Sequence, residues 1–181
     1  MKLLKLSCIS IGAALLALPA FAGTQAGQVE LSASVAGTFG VSPSENDTKL
    51  VFGALGVGYF VTDAVEIKLS VDGLWMDSGN GTTYAIGLLA GPDYNFNIKD
   101  SKFVPYVGVY GGIYFAQRDN DNGGTSSFTE GALDGHVGCR YFVGEHTTIN
   151  LQVSYQYIFV SEAGGQDIGN IIASLGISYF F

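Results

Sequence analysis

His136 and His146 are the two histidines of the chain, and acid–base or nucleophilic catalysis would have to begin at one of them. A Ser-His-acid site needs its members within hydrogen-bond reach, yet nothing in the sequence sets a serine beside either ring. A second candidate is Asp119-Asn120-Asp121-Asn122-Gly123-Gly124 followed by Glu130, which carries acids at positions 1, 3 and 12 and glycine at position 6 of a calcium-loop pattern. Position 5 is Gly123 where Asp or Asn belongs, so a solvated hairpin tip is the better reading. The glycines of Gly53-Ala54-Leu55-Gly56-Val57-Gly58 imitate a phosphate loop, but such a loop must open a helix. Arg140 and Lys68 remain, and cations of this kind act only through whatever acids the fold brings to them.

The elements that position these groups read as strands. Ile149, Leu151, Val153, Tyr155 and Tyr157 alternate with Thr148, Asn150, Gln152, Ser154 and Gln156, a period of two with one apolar and one polar face. Val65, Ile67, Leu69, Val71 and Trp75 repeat it against Glu66, Lys68, Ser70 and Asp72. Segments 59–75 and 141–157 align without a gap, each reading as strand, tight turn, strand. Extended along the chain, the pattern predicts eight strands, at 28–40, 48–61, 64–76, 82–96, 103–116, 128–143, 147–160 and 168–181. The connections VSPSEND, DSGNG, RDNDNGGTSS and SEAGGQD alternate with the plainer TD, NIKDSK and GEH. Long loops on one side and short turns on the other are what a transmembrane barrel shows.

Composition sets the bounds on function. The 181 residues are 48% hydrophobic and 13% charged, with a formal net charge of -8. That suits one domain, and a pI near 4.4 would repel a phosphate backbone, which excludes nucleic acid as a partner. Lys2 and Lys5 precede an apolar stretch and Pro19-Ala20-Phe21-Ala22, which predicts a signal peptide over residues 1–22, cleaved after Ala22, and a mature domain over 23–181. Cys139 is then the one mature cysteine, so no internal disulfide forms.

Parity sorts the two faces. One collects Glu66, Lys68, Asp72, Glu130, Asp134, His136 and Arg140 and cannot face lipid. The other carries Leu31, Val35, Val57, Tyr59, Ile86, Leu88, Val107, Val109, Val137, Tyr141, Leu175 and Ile177. The inward face mixes Tyr106, Tyr110 and Tyr114 with Ala54, Gly56, Gly58, Gly108, Gly112 and Gly176, so the lumen fills. In a filled lumen charges must be paired, and we expect Arg140 and Lys68 to be bridged by acids drawn from Glu30, Glu66, Asp72 and Asp134. Aromatics gather at strand ends, among them Tyr59, Phe60, Trp75, Tyr94, Phe96, Phe103, Tyr141, Phe142, Tyr157, Phe159, Tyr179 and Phe181, as interfacial girdles do. The fold is therefore expected to be all-β: an eight-stranded antiparallel up-and-down transmembrane β-barrel with a filled polar lumen.

The stretches YFVTDAVEI, FVPYVGVYGG, CRYFVGEHTTINLQVSYQY and SLGISYFF resemble the small eight-stranded outer-membrane β-barrel family that includes OmpA- and OmpX-type domains. No segment resembles the periplasmic peptidoglycan-binding domain of OmpA proper. The resemblance implies Sec-dependent export to the outer membrane, and contact with its lipid and lipopolysaccharide, as a monomer without a cofactor. It also implies that Leu175, Ile177, Tyr179 and Phe181 serve as the signal read by the barrel-assembly machinery. Some relatives hydrolyse lipid or peptide, but the His-x-Ser pair of deacylase barrels is missing. The expected role is structural or surface-interacting in the manner of an adhesin, with a narrow, low-conductance ion channel as the alternative and a lipid-modifying enzyme third. A host or surface ligand would meet the acidic loops, which hold Glu45, Asp47, Asp77, Asp119, Asp121, Glu162 and Asp167 against Arg118.

Overall fold

The computed structural model describes residues 23–39, 49–77, 81–120, 124–159 and 168–181. The expected signal peptide, and the loop acids Glu45, Asp47, Asp121, Glu162 and Asp167, lie outside the described residues.

Alternation of apolar and polar side chains produces eight strands: β1 (Val29–Phe39), β2 (Lys49–Phe60), β3 (Val65–Asp77), β4 (Gly81–Asn95), β5 (Phe103–Asn120), β6 (Thr125–Phe142), β7 (Thr147–Phe159) and β8 (Ile168–Phe180). Each pairs antiparallel with its sequence neighbour, and β8 closes on β1 through pairs running from Glu30↔Phe180 to Ala36↔Ser174. Closure leaves no open edge, which is the condition for strands to sit in hydrocarbon. At 11 to 18 residues the strands reach or exceed the ~9–11 needed to cross a bilayer at a tilt.

One expectation is corrected here. The stretch RDNDNGGTSS does not form a long loop: β5 runs on to Asn120 and β6 begins at Thr125, with Arg118↔Ser126 and Asp119↔Thr125 still in register. Thr125 Oγ1 donates to Asp119 Oδ1 at 3.0 Å across the last of these pairs, so a polar composition does not mark the end of the sheet.

Both described termini and the turns 61–64, 96–102 and 143–146 share one end of the barrel, the end that the connection pattern of the sequence assigns to the periplasm. The segment before β1 is tied down at this end. Asn97 Nδ2 donates to Thr24 Oγ1 at 3.0 Å, the Thr24 hydroxyl donates to the Asp63 carbonyl, and Ala26 N donates to Asp63 Oδ1 at 2.8 Å. Asp100 takes φ 59° in the β4–β5 turn, a conformation Asp tolerates better than most residues.

The apolar residues that parity assigned to the lipid side, Leu31 through Ile177, are exposed on the barrel exterior, from Tyr141 at 38% to Val35 at 66%. The acids and bases assigned inward are buried or nearly so. The protein therefore has a reversed arrangement, apolar outside and ionic within.

Candidate functional site in the barrel lumen

The lumen is built in layers. Lowest, at the periplasmic end, Phe60, Val104, Phe142 and Phe180 form an apolar plug, each with at most 1% exposure. Phe142 stacks on Phe180 at 5.5 Å between centroids, and Phe60 lies 6.0 Å from Phe180. Phe60 and Phe142 are thus not girdle residues. They share the inward parity of Gly58 and Arg140, and strand position alone was the wrong guide. Tyr59, Tyr94, Phe103, Tyr141 and Tyr179 do line the outer surface of this rim.

Arg140 sits on the plug, its guanidinium carbon 4.7 Å from the Tyr106 ring centroid and 5.7 and 5.9 Å from those of Phe60 and Phe180. Nη2 donates to Glu66 Oε2 at 2.7 Å and makes an ion contact with Glu30 Oε2 at 2.9 Å, while Nη1 donates to Asn95 Oδ1 at 2.5 Å. Lys68 Nζ donates to the other Glu30 oxygen at 2.9 Å, as does Ser178 Oγ at 2.6 Å. The structure therefore brings together Arg140, Lys68, Glu30 and Glu66.

Asp72 and Asp134 do not join them. Asp72 accepts from Ser70 Oγ at 2.5 Å and from Tyr114 OH at 2.9 Å, and Tyr114 OH in turn accepts from Gln156 Nε2 at 2.8 Å. Asp134 lies 2.8 Å from His136 Nδ1. Their register explains this: Asp72↔Gly87↔Tyr114 is one level of the ladder, Glu66↔Asp93↔Gly108↔His136 another, nearer the plug.

The acid that sequence reasoning missed is Asp93. Its Oδ2 lies 3.6 Å from Arg140 Nη2 and accepts from Tyr110 OH at 2.8 Å, and its Oδ1 lies 2.8 Å from His136 Nε2. The signal was present, since Asp93 and Asn95 alternate with Tyr94 and Phe96 inside the strand expected at 82–96, but the parity argument was not carried to them. His136 is held between two carboxylates.

Above these layers Leu89, Tyr110, Tyr114 and Ala132 pack together. Beside them, a cavity of about 70 Å³ is lined by Ser32, Ser34, Gly176, Lys68, Asp72 and Asp134, among others. It has room for a few waters.

The remaining candidates are dispersed. His146 is exposed at a periplasmic turn with its ring 5.9 Å from that of Tyr179. Of the calcium-like run, Asp119 is exposed near the end of β5, Glu130 is buried in the lumen five register positions lower, and residues 121–123 lie outside the described residues. Among the described residues no three His, Cys, Asp or Glu side chains converge as metal ligands. Leu175, Ile177, Tyr179 and Phe181 form an exposed apolar row on β8 and its end.

A closed antiparallel barrel of eight strands, apolar outside and ion-paired within, is the architecture of the small outer-membrane β-barrels. The chain belongs to the outer membrane protein beta-barrel domain family, whose sequence profile matches residues 8–181. Its fold is similar to that of the N-terminal β-barrel domain of Pseudomonas aeruginosa OprF, with 23% identity and a TM-score of 0.54 over 86% of this chain and 98% of that one. Neisserial surface protein A matches at 18% identity and 0.59 over 85% and 96%, and Ail, the attachment invasion locus protein of Yersinia pestis, at 17% and 0.54 over 87% and 100%. No curated protein matches the chain at the sequence level.

Proposed function

We propose that the protein is a structural and surface-interacting barrel of the outer membrane, delivered there after removal of residues 1–22, that presents its loops outward and does not conduct ions or catalyse. The observation that carries this is the plug: Phe60, Val104, Phe142 and Phe180, capped by Arg140, fill the periplasmic end with side chains of at most 1% exposure. An eight-stranded barrel has no room for a path around such a layer. Catalysis finds no support at His136, where a carboxylate contacts each ring nitrogen. Ail has been crystallised with the heparin analogue sucrose octasulfate. The acidic loops of this chain oppose sulfated ligands and favour basic or neutral partners.

The terminal row of Leu175, Ile177, Tyr179 and Phe181 belongs to the same proposal as the handle for the assembly machinery. Single-channel recording in planar bilayers tests the main reading. The wild type should stay at baseline, and the plug-opening Phe180→Ala variant should leak. Steady wild-type openings would instead establish the narrow-pore alternative, which draws on the polar cavity beside Lys68, Asp72 and Asp134.

A further inference from the structure

The seam that closes the barrel is shorter than the strands that form it. Every other pair of neighbouring strands stays in register to the loop end of at least one partner, at Phe39↔Lys49, Lys49↔Asp77, Asp77↔Thr82, Gly81↔Asn120, Asp119↔Thr125, Gly131↔Phe159 and Ile158↔Ile168. Between β1 and β8 the ladder stops at Ala36↔Ser174. Yet β1 runs on to Phe39 beside β2, and β8 begins back at Ile168 beside β7. Val29 and Phe181 exchange hydrogen bonds in both directions, and such pairs recur at every second residue, so Gly37 and Ala173 stand where the next one belongs. They are unpaired with each other, and no strand opposes this edge of either among the described residues.

The parting lies at membrane depth. Val35 and Leu175 are exposed just below it, and Ile171 above it is the most exposed large apolar residue described, at 73%. Backbone left without a strand partner in hydrocarbon is tolerated where it lines a polar cavity, and such a cavity is present. The lumen cavity of about 70 Å³ reaches the wall at Gln152 and Ser174, which oppose each other across β7 and β8. The same two residues line an exterior groove of about 650 Å³ walled by Val35, Leu151, Val153 and Leu175. A polar chamber inside and an apolar groove outside therefore meet at the parted seam. The other exterior groove, over Gly53 and Gly73, lies on a fully paired ladder and shares no residue with the cavity.

We propose that this seam is a lateral port that binds a long-chain primary amine, with its ammonium in the lumen cavity and its alkyl chain in the exterior groove. Size and charge select the occupant. A chamber with room for a few waters admits a head of a few heavy atoms, which excludes phosphate and sugar heads and with them phospholipid and lipopolysaccharide. Asp72 and Asp134 line it against Lys68, whose Nζ is already held by Glu30 at 2.9 Å. An ammonium offers three donors to these carboxylates and to the hydroxyls of Ser32, Ser34 and Ser174, whereas a carboxylate head would add a like charge. The amine enters from the side, so the aromatic plug stays closed.

Native mass spectrometry of the full barrel with added dodecylamine tests this, with dodecanoate as the carboxylate of equal chain length. The wild type should retain a single amine, about tenfold more tightly than dodecanoate. Asp72→Asn with Asp134→Asn should erase that preference, and Ser174→Leu should abolish retention by filling the passage between chamber and groove. Gly73→Val, in the other groove, should change neither. Heat-modifiable migration on a gel, retained in every variant, shows that folding is intact. Equal retention of amine and carboxylate by the wild type overturns the proposal, as does amine held undiminished by Ser174→Leu. Equal losses in Gly73→Val and Ser174→Leu would reduce the binding to general contact with the apolar surface, which also overturns it. Failure of the plugged-barrel reading would appear in conductance and not in these ratios.

Discussion

The two sides of the lumen are filled by opposite strategies. On β3 to β6 the inward residues are long and polar at the tip, with Tyr106 opposite Gly138, Tyr114 opposite Gly87, and Asp93 against Gly108 and His136. Each large side chain lies over a glycine of the neighbouring strand, so bulk and space alternate around the wall. On β7, β8, β1 and β2 the inward residues facing the cavity include Ser154, Ser174, Gly176, Ser32, Ser34, Ala54 and Gly56. The first side is fixed by charge and packing together, and the second leaves the cavity. The difference teaches that close packing of the lumen is concentrated on one wall, with Glu30 of β1 reaching across to join its charged groups.

The largest test of that contrast is Arg140→Ala. It leaves Glu30, Glu66 and Asp93 facing one another in a buried layer, and breaking a buried ion pair from one side costs about 3–5 kcal/mol. Urea unfolding in lipid vesicles should show a loss of that size. A loss below about 1 kcal/mol would mean that water reaches the layer and the filled wall is not dry. Next comes Tyr114→Phe, which removes the hydroxyl shared by Asp72 and Gln156 while keeping the ring over Gly87. Leaving buried partners unmatched costs about 1–3 kcal/mol. The same assay reads it, and a neutral result would show that the ring, not the hydroxyl, holds this level.

The sequence was most legible where one rule covers every residue. Alternation alone placed eight strands to within a residue or two over most of their length and put the ionisable groups it sorted on their correct faces, because a barrel in lipid tolerates no exception on the outside. It was least legible where the answer depends on the stagger between strands. Whether Asp72 or Asp93 reaches Arg140 follows from the ladder level on which each falls, and level is a property of neighbouring strands that no single strand encodes. Phe60 and Phe142 were misplaced for a simpler reason: end position was allowed to outweigh parity, although parity alone puts both beside Phe180. The polar tract after Gln117 was read as a loop because composition reports solvent and not backbone pairing.

The smallest effect gives the sharpest comparison. Gly87→Ala adds one methyl on the filled wall, where its carbon would sit 2.5 Å from the Tyr114 ring, and Tyr114 is held by Asp72 and Gln156 and cannot swing away without losing both. Overpacking of this kind costs about 1–3 kcal/mol. Ala54→Val adds twice as many methyls on the other wall, directly beside the cavity of about 70 Å³, and should change the unfolding free energy by less than about 0.5 kcal/mol, the residual effect of displaced water against added apolar contact. The smaller substitution should therefore do the greater damage. If Ala54→Val proved as destabilising as Gly87→Ala, the cavity would not be yielding space and the two walls would be equally rigid. If both were neutral, the tyrosines would be free to move, and the hydrogen bonds to Asp72 and Asp93 would not be what holds them.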